Sequence, residues 1–260
     1  CALTTSTPMA PRANTASDNL AGPCRHKPVE NRCLSCILDD SSYFASLPIE
    51  AKLALQSGMH IKKYPRLTVL YHEGGQDDYL YILISGEVKV YKSAADGRQQ
   101  IHKIASIPGD LIACEDLYLS ASSSTSEAIS DTTVCMMKRD FLREATAKFP
   151  EISDAMMQAM ARNLNAYIRH IANLGSKNAE SKVASYLVYQ HETHRRREDH
   201  LNFLADSLTR VEMAEMLGMT QRTLIRSLKN LTGRCTISIA KEGFIINDIG
   251  TLVRLAEGSE

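Results

Sequence analysis

Between residues 150 and 175 the side chains Met157, Met160, Leu164, Tyr167, Ile171 and Leu174 recur at intervals of 3, 4, 3, 4 and 3. That is the repeat of a helix that lays one seam along a partner helix. Gln158, Arg162, Asn163, Asn165, Arg169 and His170 fall between them, so the helix keeps a wet side. A helix packed on its own domain gives a similar pattern. The neighbouring segments favour pairing, with a strand-rich stretch before the helix and a compact helical module after it. Two copies of the chain are therefore expected to meet along this seam as a homodimer.

Upstream, residues 67–71, 79–84, 87–91, 100–104 and 132–137 are short runs rich in β-branched and aromatic residues. Gly74-Gly75, Gly86, Asp96-Gly97 and Gly109-Asp110 punctuate them, and Asp96-Gly97 is a hairpin turn. Val88 and Val90 point one way and Glu87, Lys89 and Tyr91 the other, which predicts a small antiparallel roll or barrel. Downstream, residues 176–189 restart a helix with Val183, Leu187 and Val188 inward. Residues 209–231 then read as two helices. Val211, Met213, Ala214 and Leu217 line the first, which stops at Gly218, and the second starts behind the N-cap Thr220 and packs through Leu224 and Leu228. This predicts a helix-turn-helix, with residues 237–239 and 243–246 as a two-stranded wing. The expected class is α+β. Residues 1–23 read as a disordered tail, 24–148 as a cysteine-bearing segment and antiparallel β-roll, 149–175 as the dimerisation helix and 176–260 as a winged helix-turn-helix domain.

Composition changes this picture little. With 260 residues there is room for two cores, and 30 basic residues balance 30 acidic ones, so any nucleic-acid signal must be local. It is local: between residues 219 and 234 stand Arg222, Arg226, Lys229 and Arg234 with no acid. Thr220, Gln221, Arg222, Thr223, Arg226 and Lys229 are the expected DNA-binding residues, and double-stranded DNA the expected partner. No run approaches the roughly 18 apolar residues of a membrane span, so a cytoplasmic protein without membrane contact is expected. Of seven cysteines, Cys24, Cys33 and Cys36 crowd into one polar stretch whose C-x2-C pair suits a metal or cluster. A zinc site on Cys24, His26, Cys33 and Cys36, or free surface thiols, would fit the same stretch. Cys135, on a predicted strand, reads alone as a small buried hydrophobe. The scattered histidines and Asp39-Asp40 form no spaced acid/base group, so no enzyme is expected.

The order of these parts, with Gly109-Asp110-Leu111, Ser176-Lys-Asn-Ala-Glu180 and Leu208-Thr-Arg, resembles the bacterial regulators typified by the cyclic AMP receptor protein and the fumarate and nitrate reduction regulator. The likeness covers about residues 33 to 257 and is closest to the oxygen-sensing iron-sulfur branch. It implies a cyclic-nucleotide-binding-like roll, a homodimer on a two-fold operator, RNA polymerase as a partner and a [4Fe-4S] cluster as cofactor. Cys33, Cys36 and Cys135 match the cluster positions of that branch. Its third N-terminal cysteine falls on Ser42, so Cys24 is taken as the replacement ligand, with Cys114 in reserve. A cyclic nucleotide is not expected: no Lys or Arg lies between Lys103 and Lys138, and the family's phosphate-binding arginine falls among Ser122, Ser123 and Ser124. Haem on His72, His102 or a cysteine, thiol switching at Cys33 and Cys36, and a zinc-stabilised interaction protein stay open. Arg222 stands where the relatives carry a glutamate and Arg226 is retained, which implies a different half-site. Tyr167 stands where the oxygen sensor has an acidic residue, so a dimer that persists without its cofactor is expected.

Overall fold

The computed structural model describes residues 43–195, 203–205, 208–241 and 243–258. The polypeptide enters through a turn at Tyr43 and helix α1 (Ile49–Ser57), and the roll follows. Strands β1 (Met59–Tyr64), β8 (Thr132–Lys138), β3 (Tyr79–Ser85) and β6 (Leu111–Ile112) form one antiparallel sheet in the order β1-β8-β3-β6. Strands β2 (Val69–Tyr71), β7 (Thr125–Ala128), β4 (Val88–Ser93) and β5 (Gln99–Ala105) form the other, in the order β2-β7-β4-β5. Tyr64, Leu83, Val88, Ile112 and Val134 fill the space between them. The expected roll is therefore present. Gly86 is what lets β3 turn into β4: its φ is 90°, and an added Cβ would sit 2.5 Å from the Asp131 carbonyl oxygen.

The reading of residues 67–71 as one strand needs correction. Leu67 has a φ of 64° and is 66% exposed, so the strand begins at Val69. β7, built of Thr125-Ser126-Glu127-Ala128, was not predicted because it lacks the bulky residues that advertise strands. Its place is decided by pairing with β2 and β4.

Helix α2 (Arg139–Lys148) leads into the long helix α3 (Pro150–Ser176), with Pro150 in the first turn, where a missing N–H costs nothing. Ile152, Ala155, Met156 and Ala159 press the start of α3 into a core shared with Phe44, Leu55, Met59, Leu80 and Cys135. The reader domain comprises α4 (Ala179–Arg195), β9 (Phe203–Ala205), α5 (Arg210–Met216), α6 (Gln221–Gly233), β10 (Ile237–Ala240), β11 (Gly243–Ile246) and α7 (Ile249–Ala256). The wing is real, and β9 adds a third strand beside β11.

Local chemistry dictates the helix-turn-helix. Thr209 and Glu212 form a reciprocal capping box at the start of α5, Gly218 takes a φ of 60° in the turn, and the Thr220 hydroxyl accepts from Thr223 N at 3.2 Å. Leu224, Leu228 and Leu231 are buried against Met213, Leu217 and Phe244. Each such side chain contributes about 1.5–3 kcal/mol by leaving water.

Contacts that dock the reader on the roll include Gln100 of β5, whose Nε2 donates to the Glu215 carbonyl of α5 at 2.8 Å. Ile129, in the loop after β7, is buried in the reader's core. Lys89 of β4 bonds Glu212 of α5 at 2.7 Å and lies 3.5 Å from Glu127, with its side chain 6% exposed.

Candidate nucleic-acid interface and sensor site

Helix α6 is buried on the face that carries Leu224, Ser227, Leu228 and Leu231. Geometry then forces Gln221, Arg222, Ile225, Arg226 and Lys229 onto the opposite, exposed face. Arg222, Arg226 and Lys229 make no ion pair among the described residues, so their donors are available to an outside acceptor. Thr220 and Thr223 lie at the same end, but their hydroxyls bond each other at 2.9 Å and close the cap. Arg234 leaves the basic group, because its Nε lies 3.3 Å from Glu180 on α4. Ile225, 52% exposed among the arginines, is an apolar contact suited to a thymine methyl.

The exposed face of the long helix carries Met157, Met160, Leu164, Ile168 and Ile171, 37–67% exposed. Tyr167 and Leu174, read from sequence as seam residues, lie off that face. The Tyr167 hydroxyl donates to Glu115, and its ring lies 5.7 Å from His102, so the side chain is turned onto the roll. Leu174 is half-buried and faces the turn of the helix-turn-helix, where a Cβ on Gly218 would lie 3.1 Å from it. Ile168 takes the outward position given to Tyr167.

Around Tyr167 sequence reasoning missed a polar joint. Glu115 accepts from Tyr167 and Asn163, and Lys103 lies 3.5 Å away while also donating to the Leu111 carbonyl. Burial would raise the Glu115 carboxyl, but Lys103 and Tyr167 outweigh it and hold the group below its usual range. Burial and the Glu115 charge push the Tyr167 hydroxyl well above its usual range, so it stays a donor. The only hint in the sequence was Glu115 standing in a stretch without cations.

Of the proposed cluster ligands, Cys24, Cys33 and Cys36 lie outside the described residues, as does Ser42. Cys135 pairs in register with Ile61 and Ile82 and is 3% exposed, in the same apolar core as Phe44. Cys114 is buried too; Asn163 donates to its sulfur at 3.1 Å, and burial and Glu115 push its thiol up to about 12. Among the described residues no group of three His, Cys, Asp or Glu side chains could hold a metal ion. Where the family's phosphate-binding arginine would fall, Ser122 and Ser124 are buried, and Ser124 shares a 3.3 Å hydrogen bond with His102. His72 is exposed, and His102 is held between Ser124 and Tyr167.

Comparison with known proteins agrees with this architecture. Residues 61–149 match the cyclic nucleotide-binding domain and residues 181–255 the Crp-like helix-turn-helix domain. The chain is 28% identical over 221 residues to the CRP-like cAMP-activated global transcriptional regulator of Mycobacterium tuberculosis, covering 85% of this chain and 98% of that protein. It is 25% identical over 195 residues to the anaerobic regulatory protein of Pasteurella multocida, covering 75% and 71% of the two chains. Among solved structures, FixK2 from Bradyrhizobium japonicum superposes with a TM-score of 0.69 at 26% identity, over 76% of this chain and 96% of that one. These relatives are transcription regulators, and no helix among the described residues is long and apolar enough to cross a membrane. A cyclic nucleotide-binding roll, a long helix and a Crp-like helix-turn-helix, in that order and in one chain, place this protein in the CRP/FNR family of DNA-binding transcription regulators.

Proposed function

We propose that this regulator is a cytoplasmic homodimer that reads a two-fold operator and responds to oxygen or redox state through a [4Fe-4S] cluster held by Cys24, Cys33, Cys36 and Cys135. RNA polymerase is the partner through which it acts on transcription. The observation that carries the sensor reading is the position of Cys135. Its thiol is buried in the core that also holds Phe44, eight residues after Cys36, a span of at most about 3.3–3.6 Å per residue. A segment anchored there can bring its cysteines to Cys135, and the apolar surroundings suit a cluster shielded from water. When bound, the cluster would supply an oxygen-labile redox centre. The likeness to the anaerobic regulatory protein of Pasteurella multocida lends support. The dimer reading rests on the apolar face of the long helix, Met157, Leu164, Ile168 and Ile171, which nothing within the chain covers among the described residues.

Purification without oxygen, with iron and sulfide assayed beside the visible spectrum, tests the sensor. Broad absorbance near 400 nm that fades in air is expected, as is its loss in both Cys24→Ala and Cys135→Ala. Zinc without sulfide, or a cluster indifferent to Cys135→Ala, would reject the ligand assignment.

A further inference from the structure

A short link joins the reader to the long helix. That helix ends at Ser176, Lys177 is extended with φ −105° and ψ 147°, and α4 begins at Ala179. Such a break lets the reader turn about the helix end unless other contacts hold it. Those contacts converge on α5. One side of α5 packs on the recognition helix, with Met213 and Leu217 buried beside Leu224 and Leu228. Another side meets the roll, where Glu212 accepts from Lys89 at 2.7 Å and the Glu215 carbonyl accepts from Gln100 Nε2 at 2.8 Å. The first helix of the motif is thus a spacer between roll and recognition helix. Ile129 and Leu174 add apolar contact, which resists separation but sets no direction.

The Lys89 ammonium is the directional part of this joint. Strands β4 and β7 place Lys89 opposite Glu127 in register, 3.5 Å apart, so the roll itself holds the lysine in place. An ammonium has three donors, and one goes to Glu212. Glu212 is fixed from its own side, since its other carboxylate oxygen accepts from the Thr209 amide and hydroxyl in the capping box. The two side chains are only 6% and 13% exposed. A nearly dry ion pair anchored at both ends is satisfied in one register, and a shifted reader would leave Glu212 short of its cation. In this docked placement Gln221, Arg222, Ile225, Arg226 and Lys229 all stay exposed. Docking therefore leaves the reading face open and fixes where it points.

We propose that Lys89 is a positioning residue for operator recognition: by pinning Glu212 it sets the orientation of each recognition helix, and with it the half-site separation that the dimer accepts. The assignment rests on the two-fold reading proposed above. Two readers must meet the major groove about one DNA turn apart, roughly 34 Å. A reader that swivels spends only part of its time in that placement, and apparent affinity for the whole operator falls by that fraction. A single half-site asks for no separation and is bound as before.

The double variant Lys89→Met/Glu212→Gln removes the pair without leaving a charged Glu212 unpaired, and glutamine still serves the capping box. Fluorescence anisotropy compares it with wild type, both as full chains purified without oxygen, on an operator selected by wild type from random duplexes, on the same operator with its half-sites moved apart by about two base pairs, and on a single half-site. Wild type is expected to prefer the selected spacing by at least about tenfold. In the double variant the selected operator should weaken by about tenfold, the spacing preference should shrink to about twofold, and half-site affinity should stay within about twofold of wild type. Lys92→Met, which removes an exposed lysine of the same strand, should behave as wild type. Equal weakening on all the duplexes would place the damage in the reader itself and overturn the proposal, as would an undiminished spacing preference. A wild type that gains nothing from the second half-site would overturn the two-fold reading and this inference together.

Discussion

Tyr167 and Ile168 are adjacent, and only one can face outward. The 3-4 repeat admits either, since both are apolar enough for a seam. What decides is Glu115, 52 residues earlier, to which the Tyr167 hydroxyl donates. No window on the helix sequence contains that information. Removing the hydroxyl in Tyr167→Phe leaves a half-buried carboxylate one donor short, and a loss of about 0.5–1.5 kcal/mol in urea unfolding is expected. The pH dependence has a definite sign. Glu115 sits below its usual range when folded, so its contribution is complete above the unfolded value and fades as pH falls through the folded one. Wild type should therefore lose more stability than Tyr167→Phe on acidification through the carboxylate range. Parallel slopes in the two proteins would count against the hydrogen bond.

At the scale of elements, the helix-turn-helix was legible because its signals are short-range: the Thr209 and Thr220 caps, Gly218 in the turn and the leucine spacing of α6. Strand β7 and the docking of reader on roll were not, because serine-rich strands and cross-domain contacts leave no local period. Lys89 illustrates this. In sequence it is an outward polar residue of a strand. In the structure, burial disfavours its charge, but Glu212 and Glu127 more than compensate and raise its pKa. Lys89→Met leaves both carboxylates without that partner. Breaking a buried pair costs about 3–5 kcal/mol, so an earlier unfolding transition of the reader domain is expected in denaturant titrations followed by hydrogen exchange. On α6, Arg226→Ala should cost about 1–3 kcal/mol and relax base preference at one position of each half-site. Lys229→Ala should weaken all duplexes alike and reduce the salt slope by about 1. The opposite assignment, with Lys229 setting base preference, would show in the same binding series.

At the scale of the whole molecule, the long helix presents one side to its own roll and reader and an apolar side to the surroundings. Met157, Leu164, Ile168 and Ile171 form that outer side, and an apolar stripe of this kind is normally covered. Ile168→Glu should place two carboxylates face to face across a two-fold seam. Analytical ultracentrifugation is expected to show a monomer for this variant and a dimer for Tyr167→Phe. A dimer unaffected by Ile168→Glu would put the interface elsewhere. The sequence made the existence of a pairing helix legible and its outward residues only in part, because the roll competes for the same helix.

On the proposed function, a redox-labile site at Cys135 alters how a two-fold pair of recognition helices meets DNA. Its most direct test is the affinity of anaerobically purified protein for a two-fold operator selected from random duplexes, measured before and after exposure to air. A fall of at least about tenfold in specific binding, with non-specific binding unchanged, is the predicted result. Equal affinity in both states would contradict it.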